Sequence, residues 1–328
     1  MLLEIRHLTQ YRYAAPVRES VMELWLQPQK SARQRLLSFD IELDPVAQLF
    51  SYADTFGNAV YHFDCPQAHD LLTIRSRAVV ETEAGDPLPE ALDLGEWGRL
   101  NSEFLRGDCF DFLRPHGFAI ATTALEHFIK RFDLDLLRRS DPLTAVTGLC
   151  QAIYDAFEYE PGVTRADSPI DHALEAHRGV CQDFAHIMLA ICRGWGVPAR
   201  YVSGYLLTDR DHHDRSDPDA THAWVEVFLP SLRWVGFDPT NNIVAGDRHV
   251  IVAVGRDYGD VPPSRGVFKG DAESELAVGV SVRQTRAAIA EPEFLRTAVG
   301  RPTTVGATRR RISPAALDRQ LQQHQQQQ

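Results

Sequence analysis

Residues 178–195 read RGVCQDFAHIMLAICRGW: one cysteine directly ahead of apolar residues at helical spacing, Phe184, Met188, Ile191, Cys192 and Trp195. The spacing predicts a buried helix with Cys181 in its first turn. There, unpaired backbone N–H groups and the helix dipole favour negative charge, so the thiol pKa is expected to fall below its free value of about 8.5. Taken alone, such a cysteine is more often a small core residue. The residues that argue otherwise lie downstream.

Beyond Trp195, Gly196 and Pro198 stop the helical run, and ARYVSGYLL (199–207) alternates as a strand. The next segment, TDRDHHDRSDPD (208–219), carries five aspartates and the pair His212-His213. It has no regular spacing to aim metal ligands, so it reads as a solvated loop on the rim of a cleft. Two strands follow, THAWVEVFL (221–229) and RWVGFDPT (233–240), joined by a short turn at Pro230-Ser231.

A nucleophilic cysteine needs a base, and the base needs an orienting acceptor. His222, Trp224, Glu226 and Phe228 share one strand face, and Trp234, Gly236 and Asp238 share one face of the next. Any hairpin register that pairs even with even positions puts His222 and Asp238 on the same side, with Cβ atoms about 5 to 8 Å apart. Asp238 can then accept the imidazole N–H while the other ring nitrogen points at Cys181. Glu226, on the same face, is a competing acceptor.

Upstream, LEIRHLTQYRY, VMELWLQP, RLLSFDIELDP, AVYHFDC and LLTIRSRAVVE are short alternating segments divided by prolines and Gly57-Asn58. They predict a β-domain over residues 1–85, a small sandwich or open barrel in which His7, His62 and His69 pack rather than react. A proline-bearing connector, GDPLPEALDL, leads into helical patterns at TALEHFIKRF and at 141–157, the latter with Asp141 as cap and Pro142 at the first helical position. Cys150 lies on the apolar face of that helix. Residues 86–285 read as the second unit, helices first and then strands. Residues 286–328, ending in a glutamine-rich run, read as a flexible tail.

The net charge of −11 argues against a nucleic-acid partner and against an anionic membrane surface. No apolar run approaches the about 20 residues of a membrane helix. Glu4 and Arg6 interrupt the place where an export signal would need its apolar stretch. Five cysteines without a CxxC pair point to reduced thiols, hence to a cytoplasmic protein.

Three segments, GVCQDFAHIMLAICRGWGVPARYVSGYL, THAWVEVFLP and WVGFDPTNN, resemble the core motifs of the bacterial transglutaminase-like superfamily, in the same order. The segments LEIRHLTQYRY and DTFGNAVYHF resemble the β-domain that precedes that core. The resemblance implies an α+β fold, with an N-terminal antiparallel β-domain followed by a papain-like core whose cysteine helix packs on an antiparallel sheet. It also implies Cys181 as nucleophile, His222 as general base and acid, and Asp238, in preference to Glu226, as the orienting residue. The implied chemistry is thiolate attack on an amide of a peptide or protein, giving a thioester that water or an amine resolves, with no metal and no organic cofactor.

The oxyanion formed on the way needs donors. The backbone N–H of Cys181 is the first; for the second, Gln182, Tyr159 and Trp224 stay open. Asp183 supports the thiolate or bonds the helix start, and His186 is expected to be structural. Nothing matches a calcium loop or the C-terminal β-domains of animal transglutaminases. Two other readings remain: a catalytically silent scaffold with the same fold, and a metal module built on His212 and His213.

Overall fold

In a computed structural model, which describes residues 1–208 and 214–285, the chain opens on one long strand, β1 (Leu2–Leu24). Alternation buries Leu3, Ile5, His7, Thr9, Tyr11 and Tyr13 on one side, breaks at Ala14–Pro16, and resumes with Ser20, Met22 and Leu24. The two strands expected from LEIRHLTQYRY and VMELWLQP are therefore one strand whose register shifts between Arg12 and Val17. It is joined by β2 (Gln34–Asp44), β3 (Phe50–Ala53), β4 (Ala59–Cys65) and β5 (His69–Thr82) in the order β2-β5-β1-β4-β3. His7 is buried between Thr9 and Tyr205, His69 bonds Ser20 and the Gln67 carbonyl, and His62 stacks on Phe50.

The helical unit follows: α1 (Glu96–Leu100), α2 (Glu103–Asp108), α3 (Phe110–Leu113), α4 (Thr123–Arg131) and α5 (Pro142–Ala156). The Asp141 carboxylate accepts from the N–H groups of Leu143 and Thr144, satisfying the start of α5, with Pro142 inside it as expected. Next come β6 (Glu158–Tyr159), α6 (Ile170–Ala176), β7 (Arg178–Gly179) and α7 (Cys181–Gly194). The parallel pair β6–β7 sets Tyr159 opposite Gly179, two residues before Cys181.

A second sheet completes the core, built from β8 (Ala199–Leu206), β9 (His222–Leu229), β10 (Arg233–Asp238), β11 (Ile243–Val244) and β12 (His249–Gly255) in the order β11-β10-β9-β8-β12. Helix α7 lies on β8 and β9, burying Phe184, Met188, Ile191, Cys192 and Trp195 in one cluster with Val225 and Val227. Each such side chain, fully buried, stabilises the fold by about 1.5 to 3 kcal/mol.

The chain then returns to its beginning. Strands β13 (Ser264–Lys269) and β14 (Ser274–Gln284) pair antiparallel with the second and first halves of β1. This corrects the division at residue 85: the stretch 264–284, assigned by its sequence to the core, belongs to the N-terminal sheet. Its partner lies some 250 residues earlier, a distance over which local pattern carries no pairing information. The tail, 286–328, falls outside the described residues.

Candidate active site

Cys181 is the first residue of α7. Val180 precedes it in extended conformation and has no side chain that can cap, so the helix start is tied from the other side. The Asp183 carboxylate accepts from the Val180 N–H at 2.9 Å and from the Thr164 hydroxyl at 2.6 Å. Burial raises the Asp183 pKa, opposed by those two hydrogen bonds. Gly179 is required here, because a Cβ would sit 2.7 Å from an Asp183 carboxylate oxygen. Asp183 therefore serves the helix start.

Of the five cysteines, Cys65, Cys109, Cys150 and Cys192 are buried and Cys181 alone is half-buried. Burial pushes the Cys192 thiol up to about 12 and that of Cys150 higher still. Neither can act as a thiolate near neutral pH.

Strands β9 and β10 pair Trp234 with Phe228 and Gly236 with Glu226, so even residues face even. Asp238 thus lies diagonal to His222, and His222 Nε2 donates to Asp238 Oδ2 at 2.7 Å. Cys181 lies close enough to the imidazole to favour its charged form. Burial disfavours a charged ring at His222, but the Asp238 carboxylate and Cys181 outweigh it and push its pKa up to about 10. Asp238 is fully buried, yet His222 and His249 hold its carboxyl far below the usual carboxylate range. Glu226 is engaged elsewhere, in an ion pair with Arg200 at 2.6 Å.

Asp238 accepts more than one histidine. His249, at the start of β12, places Nε2 3.3 Å from the same Oδ2, while its Nδ1 accepts from the Gly246 N–H. That pairing makes Nε2 the protonated nitrogen of a neutral ring, and burial keeps the His249 pKa below its ordinary value. Asn241 Nδ2 donates to Oδ2 at 2.8 Å, and the N–H groups of Thr240 and Asn241 donate to Oδ1. His249 and Asn241 were not found by sequence reasoning. Asn241 sits inside the WVGFDPTNN motif, which was the available signal; His249 had none beyond its place at the head of VIVAVG.

The ligand atoms of His222, Asp238 and His249 lie within 4.8 Å of one another, a spacing open to a metal ion. Two N–H donors converging on one carboxylate oxygen account for it equally well. His212 and His213, the other metal candidates, lie outside the described residues.

The three candidate second donors separate by their surroundings. The Gln182 side chain donates to the Ala166 carbonyl at 2.8 Å and is buried. Trp224 is fully buried beneath His222 and His249, ring to ring at 5.9 and 5.1 Å, and its indole N–H finds no partner among the described residues. It supports the imidazoles from behind and cannot meet a substrate oxygen. Tyr159 is half-buried beside Cys181; its oxygen accepts from the Asp217 N–H at 3.4 Å, which leaves its own hydrogen free. Burial, and then the proximity of Cys181, raise the phenol pKa, so the hydroxyl stays protonated. His186 stacks between Phe118 and Tyr201 and accepts from the Tyr258 N–H, a packing role.

Within the described part of the Asp-rich segment, Asp214, Arg215 and Ser216 are less solvated than its composition suggests. Asp214 pairs with Arg248 at 2.6 Å. The Arg215 guanidinium lies 3.4 Å over the Tyr154 ring and donates to the Tyr154 and Phe157 carbonyls, while its backbone N–H donates to Asn241 Oδ1. Ser216 Oγ sits 3.4 Å from His222 Nδ1 and accepts from Asn241 Nδ2 at 2.8 Å.

Residues 135–239 match the family model of the transglutaminase-like superfamily, and residues 3–81 match that of the bacterial transglutaminase-like N-terminal region. The uncharacterized protein ML0607 of Mycobacterium leprae is 32% identical over 281 residues, spanning 85% of this chain and 98% of its own. The chain belongs to the transglutaminase-like superfamily. A further member, a protein-glutamine gamma-glutamyltransferase of Pseudomonas aeruginosa, is 32% identical over 117 residues, 33% of this chain and 18% of that one. Among solved structures, a candidate cysteine protease from Cytophaga hutchinsonii shares the superfamily fold with a TM-score of 0.66 at 21% identity, covering 88% of this chain and 92% of that one. No helix among the described residues is long and apolar enough to cross a membrane.

Proposed function

We propose that the protein is a cysteine-nucleophile enzyme that acts on amide bonds of peptides or proteins through a thioester. The observation that carries this reading is the run of contacts Asp238–His222–Cys181, which ends on the one thiol of five that is not buried. A half-buried thiol at a helix start and an imidazole that a buried carboxylate keeps charged are the parts such a reaction needs. The alternative of a silent scaffold gives no reason to hold five donors on one buried carboxylate.

In the reaction, the sulfur attacks the carbonyl carbon, a C–S bond forms and the carbonyl π bond breaks to an oxyanion. The Cys181 N–H, free at the helix start, and the Tyr159 hydroxyl are the donors assigned to that oxygen. On collapse the C–N bond breaks and His222 Nδ1 gives its proton to the departing amine. Water or a second amine then attacks the thioester, passes a proton to Nδ1, and releases the thiolate. A thiol used in this way must stay reduced, which fits a cytoplasmic setting.

The test is incubation with a peptide library and an added primary amine, read by mass spectrometry. Amine adducts identify transfer and clipped peptides identify hydrolysis; both must vanish in Cys181→Ala and His222→Ala. Product formation that persists in Cys181→Ala would refute the reading.

A further inference from the structure

Four consecutive residues of the Asp-rich segment are each fastened to a different part of the core: Asp214 to Arg248, Arg215 to Tyr154, Ser216 to His222 and Asn241, and Asp217 to Tyr159. The central member closes a ring of hydrogen bonds around the imidazole. His222 Nε2 donates to Asp238 Oδ2, Asn241 Nδ2 donates both to that oxygen and to Ser216 Oγ, and Ser216 Oγ lies at His222 Nδ1. Ser216 is buried, so water does not compete for its hydroxyl.

We propose that Ser216 is a positioning residue for the second half-reaction, holding the Nδ1 face of His222 once the Cys181 sulfur is tied up in a thioester. The inference rests on the function proposed above. In the resting enzyme the Ser216 hydroxyl lies 3.4 Å from Nδ1, and Cys181 is near enough to the ring to favour its charge. Acylation turns the sulfur into a thioester, which is a poor partner for an N–H, and Ser216 is left to hold the Nδ1 side while Asp238 holds Nε2. Asn241 fills one lone pair of Ser216 Oγ, leaving the other lone pair and the O–H for the ring. A hydroxyl suits this place because it accepts from Nδ1–H and donates to bare Nδ1 after a rotation of its own hydrogen. When water or an amine attacks the thioester, its proton passes to Nδ1 and the C–S bond breaks; Ser216 gains and loses no proton.

The test uses the full chain with p-nitrophenyl acetate, whose leaving group departs as nitrophenolate, the Nδ1 proton passing to solvent before hydrolysis. The burst of nitrophenolate reads acylation and the steady state reads deacylation. Ser216→Ala is expected to leave the burst within about twofold and to slow the steady state about tenfold, the worth of one hydrogen bond to a charged group. Ser216→Thr, which keeps the hydroxyl, is expected to restore the steady state to within about threefold. Ser216→Gly serves as a second variant should Ser216→Ala fail to fold. Burst and steady state falling by the same factor, or a steady state unchanged in both variants, overturns the inference alone. A wild-type protein with no Cys181-dependent burst removes the proposed function, and this inference with it.

Discussion

Asp238→Asn changes one atom and sets five donors against one acceptor. In the wild type, Oδ1 accepts from the N–H groups of Thr240 and Asn241, while Oδ2 accepts from His222, His249 and Asn241 Nδ2. The two backbone donors are fixed, so the amide oxygen stays with them and the new NH2 faces the other three. His222 escapes by giving up its Nε2 proton and keeping the one on Nδ1, at the cost of the positive charge beside Cys181. His249 cannot follow without losing the Gly246 N–H, and Asn241 cannot turn over because its oxygen accepts from Arg215.

Two buried donors are thus left facing a donor, at about 1 to 3 kcal/mol each, and the variant should lose about 2 to 6 kcal/mol of stability. With the tautomer reversed, thioester chemistry should fall about 10³- to 10⁴-fold. Urea unfolding followed by tryptophan fluorescence and ester turnover by the same preparations measure both. A variant within about 1 kcal/mol of wild type that keeps a tenth of its turnover would refute the reasoning.

Thiol counting gives a second check: iodoacetamide should label Cys181 alone in the native protein and five cysteines after unfolding in denaturant. More than one fast native thiol would contradict the burial of the other four. The acid side of the stability profile should be set by the buried histidines His186, His7 and His249, the first two pushed by burial down to about 3 and about 4 from an ordinary 6.5. Below pH 6.5 the unfolded chain binds protons that the folded chain refuses, so stability should fall by about 1.4 kcal/mol per pH unit for each down to about pH 4. His186→Gln should flatten that slope by about one proton, and an unchanged slope would exclude His186 as its source. On the alkaline side the sign reverses for His222: its stabilisation is complete below pH 6.5 and is lost as pH rises through about 10. Gly204→Ala should cost at least about 2 kcal/mol in the same unfolding assay, because its Cβ would lie 2.1 Å from the Val250 carbonyl and 2.6 Å from the Trp224 ring. A neutral outcome would mean that β8 and β12 are not locked together as described.

What could be read from the chain was what depends on local period. The 3.6-residue spacing from Phe184 to Trp195 located α7 with Cys181 in its first turn, and the two-residue spacing in 221–229 and 233–240 put His222 and Asp238 on one side in any even register. What could not be read depends on strand order. His249 reaches Asp238 because β12 lies beside β8 on the far flank of the sheet, and no local pattern encodes that neighbour. The return of β13 and β14 to β1 escaped for the same reason. The segment 214–217 was hidden by composition: Asp214 and Arg215 look like a solvated face, yet each side chain is spent on a specific partner, and the exposed Asp217 meets Tyr159 through its backbone N–H.

The proposed chemistry rests on one covalent bond. Protein quenched in acid during turnover of p-nitrophenyl acetate, then digested and read by mass spectrometry, should carry a hydroxylamine-labile acetyl group on the peptide holding Cys181. Acetyl found only on lysines or on other cysteines, or equally present in Cys181→Ala, would contradict it.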